Sequence, residues 1–280
     1  MEAYAAVKYQ FLQDALTKKL VINGQDLYGQ RWLPELRKTH EVITFGVQAG
    51  LDRVGIGNTV YASSIHYLPH GIEAMVHSGD EQGVLSLPLL GEFNVSNALA
   101  VLSTLISLEG ASLNELLPYF KELKSVPGRM QVMGGGDQPL IVIDYAHTPD
   151  ALEKALLSLR DHTKERLVCV FGCGGDRDRS KRSEMGSIAA RLADHVILTN
   201  DNPRSEDPRA ILEEIMCGIK DHSRLSILPD RSKAIENSIQ YARSGDVILI
   251  AGKGAERFQY VGSEAIPFLD EEEVRRQLMA

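Results

Sequence analysis

Arg177, Asp201, Arg204 and Glu256 stand in short stretches that mix charged residues with glycine, proline and asparagine, a mixture suited to gripping a ligand. A guanidinium presents a planar fork that fits a carboxylate or a phosphate with two hydrogen bonds. Asp201 and Arg204 bracket Asn202 and Pro203 with opposite charges, as a zwitterionic amino-acid ligand would require. Asn202-Pro203 is also a turn signal in its own right. Gly172, Gly174 and Gly175 lead into Asp176, Arg177, Asp178 and Arg179. Their spacing is neither the GxGxxG of a dinucleotide site nor the GxxxxGK[ST] of a phosphate loop. A tight strand-to-helix turn accounts for these glycines equally well. Lys253 lies between Gly252 and Gly254. It reads either as a solvated loop lysine or as a mark of backbone brought close to a ligand. Asp144, Tyr145, Ala146 and His147 make a fourth cluster, in which His147 is a ligand-facing group or a satisfied polar residue.

All four clusters follow a short apolar run. Residues 140–143, 167–171, 195–198, 225–228 and 247–251 are almost wholly apolar, and amphipathic stretches at 150–160, 181–192, 208–219 and 232–242 separate them. Such alternation predicts a parallel sheet covered by helices on both faces, a doubly wound α/β domain of Rossmann type. In that architecture ligands bind outside the carboxyl ends of the strands, where the four clusters fall. The first half is less regular. Residues 1–19 read as a helix, 20–23 as a strand, and 27–36 as a second helix. Short alternating runs between 42 and 89 read as antiparallel strands, followed by helices over 94–108 and 113–123. Ser112 and Glu115 form a capping box for the last of these. The turn at 125–128 is the expected hinge, which divides the chain into 1–127 and 128–280.

The composition, 44% hydrophobic and 24% charged over 280 residues, is that of a globular protein rather than a disordered one. With 30 Lys and Arg against 38 Asp and Glu, the net charge of −8 argues against a nucleic-acid partner. No apolar run approaches the length that crosses a bilayer, and no secretory signal is expected from the opening residues. Cys169, Cys173 and Cys217 are too few and wrongly spaced for a disulfide framework or a zinc site. A soluble, reduced, cytoplasmic protein is expected.

Taken in order, these stretches resemble the Mur ligases. The resemblance is carried by Gly128-Arg129-Met130, by Asp144 to Pro149, by Phe171 to Asp178, by Asp201-Asn202-Pro203-Arg204 and by Gly252-Lys253-Gly254. Upstream, Gly91-Glu92-Phe93-Asn94-Val95-Ser96-Asn97 is similar to the family's Gly-x-Phe-Asn-x-x-Asn. The stretch from Glu2 to Lys8 is similar to the helix that carries its modified lysine. The nearest type is MurE, the branch that adds the third amino acid to UDP-N-acetylmuramoyl-L-alanyl-D-glutamate in peptidoglycan synthesis. On this resemblance 1–127 is the back part of a mixed α/β ATPase domain, and 128–280 is the amino-acid-binding ligase domain. No GxxxxGK[ST] occurs in the sequence. The chain is therefore expected to be a partial enzyme, inactive as a ligase alone.

The resemblance implies ATP and Mg2+ as cofactors, the muramoyl dipeptide and meso-diaminopimelate as substrates, and a monomer. ATP would phosphorylate the glutamate carboxylate, and the amine would attack the acyl phosphate; catalysis is then alignment and charge neutralisation. Lys8 and His147 take catalytic positions. A carbamate on Lys8 would turn a cation into a Mg2+ ligand. Asn94, Asn97, Arg129 and Asp144 fall at nucleotide positions. Arg177, Asp201, Asn202, Pro203, Arg204, Gly252 and Glu256 fall at those of the diaminopimelate pocket. Arg204 would serve no purpose in a lysine-adding relative, because lysine lacks a distal carboxylate. Two positions depart from the family: Ala255 stands where histidine is common, and Gln25 where an acidic residue is frequent. The alternatives are a lysine-adding ligase, a folylpolyglutamate-synthetase-like ligase, a nicotinamide-dependent dehydrogenase and a non-catalytic amino-acid-binding module.

Overall fold

Strand residues that are apolar on both faces need cover on both faces, and this requirement organises the second half of the chain. The computed structural model describes residues 2–14, 16–47 and 58–279. The chain divides into two compact units, Met1–Pro88 with Glu92–Leu123, and Leu89–Gly91 with Lys124–Ala280.

In the first unit the elements are α1 (Glu2–Asp14), β1 (Lys19–Asn23), α2 (Leu27–Leu36), β2 (Glu41–Val47), β3 (Thr59–Leu68), β4 (Gly71–Ser78), β5 (Glu81–Leu87), α3 (Glu92–Glu109) and α4 (Leu113–Phe120). One sheet runs β1-β2-β3-β4-β5. The first three strands are parallel and the last two join antiparallel. The expected antiparallel pairing thus holds for β3 to β5 but not for β2. Residues 42–46 are buried throughout, the signature of a central parallel strand rather than a half-exposed one. Residues 48–57 of that predicted stretch lie outside the described residues. The first helix is shorter than expected, since Lys19 already pairs with Glu41 as the first residue of β1. Ser112 and Glu115 form their capping box at the start of α4.

The second unit holds β6 (Gln131–Gly134), β7 (Leu140–Asp144), α5 (Pro149–Arg160), β8 (Leu167–Phe171), α6 (Lys181–Leu192), β9 (His195–Leu198), α7 (Pro208–Met216), β10 (Leu225–Ile227), α8 (Arg231–Gln240), β11 (Val247–Ala251), β12 (Phe258–Val261), β13 (Glu264–Pro267) and α9 (Asp270–Leu278). Its sheet runs β10-β9-β8-β11-β7-β6, parallel except for the edge strand β6. Alternate strand residues feed two cores. Val142, Cys169, Phe171 and Leu249 pack with Leu156, Ile188 and Ile211 on one face. Ile143, Val170, Ile197 and Ile250 pack with Ile235 and Val274 on the other. The doubly wound expectation is met.

Topology creates the functional edge. After β10 the chain returns to insert β11 between β7 and β8. The carboxyl ends of β7, β11, β8 and β9 consequently lie side by side. Side-chain caps start the helices beyond two of these ends: Thr148 accepts from Ala151 at α5, and Asp207 accepts from Arg209 at α7.

Candidate functional site

The loops after β8 and β9 are packed backbone against backbone. Gly175 donates to the Asn202 carbonyl at 2.9 Å, and a Cβ on Gly175 would lie 1.9 Å from the Pro203 carbonyl. Close loop contact, rather than a phosphate cradle, explains this glycine. Asp176 and Arg204 both hold left-handed backbone, with φ of 53° and 52°. Asp176 is fixed by the Ser205 hydroxyl, which donates to Oδ1 at 2.6 Å. That bond leads the causes that hold the Asp176 carboxyl below the usual aspartate range. The Arg204 backbone is fixed by β12, donating to the Tyr260 carbonyl at 3.0 Å and accepting from Gly262 at 2.7 Å. Arg204 Nη1 donates to the Gly175 carbonyl at 3.0 Å. Arg177 is exposed, with Nη1 donating to the Asp176 carbonyl at 3.1 Å.

Asn202 is buried with its amide held from several sides. Its Nδ2 donates to Glu256 Oε2 at 2.8 Å, while Oδ1 accepts from Lys253 Nζ at 3.0 Å and from the Tyr260 amide at 3.1 Å. Lys253 is fully buried and also donates to the Phe258 carbonyl at 2.7 Å and to Glu256 Oε2 at 3.3 Å. The solvated-lysine reading is therefore incorrect. The ammonium has three hydrogens and three acceptors, which makes its burial tolerable.

Asp201 is different. It is only 8% exposed, and among the described residues no hydrogen bond reaches its carboxylate. Burial pushes its carboxyl up, opposed by the charges of Arg231 and then Lys253. Gly252, with φ of 114°, crosses directly against it: a Cβ there would lie 2.5 Å from Asp201 Oδ2. Behind this loop the buried Arg231 donates from Nε to Asp270 Oδ1 at 2.7 Å and from Nη2 to the Ala251 carbonyl at 3.1 Å. A buried carboxylate left without a hydrogen bond, with Glu256 near it and Arg204 three residues along the same loop, offers partners for an ammonium and for a carboxylate.

At the end of β7, Asp144 accepts from the Met130 amide through Oδ2 and from the Ala146 amide through Oδ1, each at 2.8 Å. Burial pushes its carboxyl up despite these bonds. The Arg129 guanidinium sits 4.6 Å from the Tyr145 ring centroid. His147 Nδ1 is 2.8 Å from the Tyr145 carbonyl, so Nδ1 is the donor and Nε2 faces outward from that bond. Gly252 donates to the Asp144 carbonyl at 3.1 Å, joining this cluster to the pocket around Asp201.

The remaining predicted positions belong to the first unit. Lys8 is exposed on α1 with Nζ 4.7 Å from the Tyr4 ring centroid. Asn97 Nδ2 donates to Asn94 Oδ1 at 3.2 Å near the start of α3. In the second unit, Asp144 ends β7, Arg129 stands on the turn into β6, and His147, Arg177, Asp201, Asn202, Pro203, Arg204, Gly252 and Glu256 stand on loops at the carboxyl ends of β7, β8, β9 and β11. Arg182 escaped the sequence reading because burial of a charge within an amphipathic helix leaves no pattern, and Glu206 because it stands in a loop where a carboxylate looks solvated.

Residues 1–105 match the Mur ligase middle domain, and residues 128–254 match the Mur ligase glutamate ligase domain. The chain belongs to the Mur ligase family. This Mur ligase chain is 44% identical over 272 residues to a UDP-N-acetylmuramoyl-L-alanyl-D-glutamate–2,6-diaminopimelate ligase of Haemophilus influenzae, covering 97% of the chain and 55% of that relative. It is 43% identical to the ligase of the same name from Pseudomonas aeruginosa, over all of the chain and 56% of the relative. A solved structure of a ligase of that name superposes with a TM-score of 0.76 at 36% identity, covering 99% of the chain and 56% of that structure. A folylpolyglutamate synthase from Thermotoga maritima shares the fold, with a TM-score of 0.65 at 17% identity over 90% of the chain and 55% of that structure. The chain spans about half the length of the curated relatives it matches.

Proposed function

We propose that this chain is the amino-acid-binding part of an ATP-dependent ligase that joins meso-diaminopimelate to UDP-N-acetylmuramoyl-L-alanyl-D-glutamate. The observation that carries the reading is the Asp201 carboxylate, buried without a hydrogen-bond partner among the described residues and next to the Asn202–Glu256 pair. Diaminopimelate has a second amino-acid head at the end of its side chain. Its distal carboxylate is assigned to Arg204 and Arg177, and its distal ammonium to Asp201 and Glu256. Lysine offers only the ammonium, and would leave the arginine fork unmatched. The names of the relatives support diaminopimelate over lysine.

In the whole reaction ATP supplies the phosphoryl group that activates the glutamate carboxylate. Nucleotide roles are assigned in the second unit to Arg129 and Asp144, and in the first to Asn94 and Asn97. The fixed Asp144 carboxylate keeps lone pairs for ribose hydroxyls, and the stacked Arg129 keeps its donors for phosphate oxygens. His147 is assigned a place beside the reacting phosphate, with Nε2 as its outward atom. Among the described residues no group of three His, Cys, Asp or Glu side chains converges as a metal site, so Mg2+ is given no step. Lys8 remains the proposed site of carbamylation in the complete ligase.

Calorimetric titration of the chain with meso-diaminopimelate and with L-lysine tests this reading. Saturable binding of diaminopimelate, at least about tenfold tighter than that of lysine, is expected from one additional charge-assisted contact. Equal affinity would favour a lysine-type ligase, and no binding of either would remove the amino-acid reading.

A further inference from the structure

We propose that Arg182 is a positioning residue that sets the spacing between Arg177 and Arg204, and through it lets the pocket read the handedness of its ligand's distal end. This rests on the amino-acid reading above.

Arg182 lies in the first turn of α6, yet its side chain is fully buried. From Nη1 it donates to Glu206 Oε2 at 2.9 Å and to Glu214 Oε2 at 2.8 Å. From Nη2 it donates to Glu206 Oε1 at 2.8 Å and to the Gly174 carbonyl at 3.2 Å. One guanidinium thus grips the backbone of the loop after β8 and the carboxylate two residues beyond Arg204. Glu206 closes the circuit, because its Oε1 also accepts the Asp176 amide at 2.6 Å. The bond from Arg182 leads the causes that push the Glu206 carboxyl down to about 2, so it stays ionised near neutrality.

Packing alone gives little reason for a charge at this place. Burying a guanidinium is costly, and an apolar side chain of similar volume would fill the space at least as well. A bidentate fork does what an apolar chain cannot: it fixes two loops in direction as well as in distance. Both loops need such fixing, since Asp176 and Arg204 hold backbone conformations that L residues rarely adopt unaided.

The chemical consequence lies at the distal carbon of the ligand. Inverting that centre exchanges the directions of carboxylate and ammonium without changing charge, size or hydrogen-bonding capacity. Fixed partners reject the inverted form; partners that drift would accept both. Lys253 holds Asn202 and Glu256 on the ammonium side, and the Arg182–Glu206 clamp holds the arginines on the carboxylate side.

The test compares meso- and LL-diaminopimelate by calorimetry on the wild-type chain, Arg182→Lys and Glu206→Gln, with circular dichroism to confirm folding. Wild type is expected to prefer the meso form. In both variants meso affinity should fall roughly tenfold or more while LL affinity changes by less than about threefold, collapsing the preference. A purely structural role would weaken both isomers equally, and that result, or an unchanged preference, overturns the proposal. If Arg182→Lys does not fold, the isosteric Glu206→Gln decides alone. Wild type that binds neither isomer removes the amino-acid reading and this inference with it. Wild type that binds meso-diaminopimelate while both variants keep its preference removes this inference only.

Discussion

The Asn202 side chain donates to Glu256 Oε2 at 2.8 Å, tying the loop after β9 to the loop after β11 across 54 residues of sequence. β8 separates these two strands in the sheet, so the bond spans the edge at which the chain reverses its winding order. Lys253 lies beneath it and touches both partners.

Replacing Lys253 by methionine should therefore cost more than a surface lysine would. Three acceptors lose a donor at once; Asn202 Oδ1 keeps the Tyr260 amide and Glu256 Oε2 keeps Asn202 Nδ2, whereas the Phe258 carbonyl loses the 2.7 Å bond and Glu256 its cation. A loss of about 2–4 kcal/mol is expected by urea denaturation. A change within about 0.5 kcal/mol would place Lys253 outside the buried network.

Asp201 makes a prediction with a definite sign in pH. Its carboxyl is raised by burial, so the folded chain holds that proton more tightly than the unfolded chain does. Ionised Asp201 consequently destabilises the unliganded fold, an effect absent below the ordinary aspartate value and growing as pH rises through the raised one. Asp201→Asn should stabilise the free chain near neutral pH, lose that advantage in acid, and bind diaminopimelate more weakly. Thermal melts across pH check the first part. A variant less stable than wild type at pH 7 would show that the carboxylate has a partner in the free chain.

Arg204→Ala should remove the match to a distal carboxylate. The affinity for meso-diaminopimelate is expected to fall roughly 10–100-fold, with lysine affinity nearly unchanged, because one charge-assisted pair is lost. Calorimetry on the same samples reads both. Equal losses for the two ligands would mean that Arg204 shapes the loop instead of meeting the ligand.

The thiols should differ sharply in reactivity. Cys169 and Cys173 are buried, and burial pushes the Cys173 thiol up to about 12 and raises Cys169 as well. Cys217 is exposed. Native labelling with a maleimide should modify Cys217 alone, and all three after denaturation. Rapid native modification of Cys173 would mean that the loop after β8 opens.

The doubly wound unit was legible because its strands are short apolar runs with turn residues at each end. The runs at 167–171, 195–198 and 247–251 became β8, β9 and β11 residue for residue. What escaped has weaker patterns. β6 is four residues ending in glycine, and the β12–β13 hairpin is mostly exposed, so neither carries a buried alternation. α9 offers Val274 as a core residue, and its other buried position is Asp270, which pairs with Arg231. The polar residues of the rim could be read from their place after strands. Their mutual bonds could not, because Arg182, Arg231 and Lys253 look in sequence like surface cations and only the fold buries them.

The most direct measurement is a crystal structure of the chain grown with meso-diaminopimelate. The account predicts the distal carboxylate in hydrogen-bond contact with the Arg204 guanidinium and the distal ammonium on Asp201 or Glu256. Ligand density away from the carboxyl ends of β8, β9 and β11, or a distal head turned so that its ammonium faces Arg204, would contradict it.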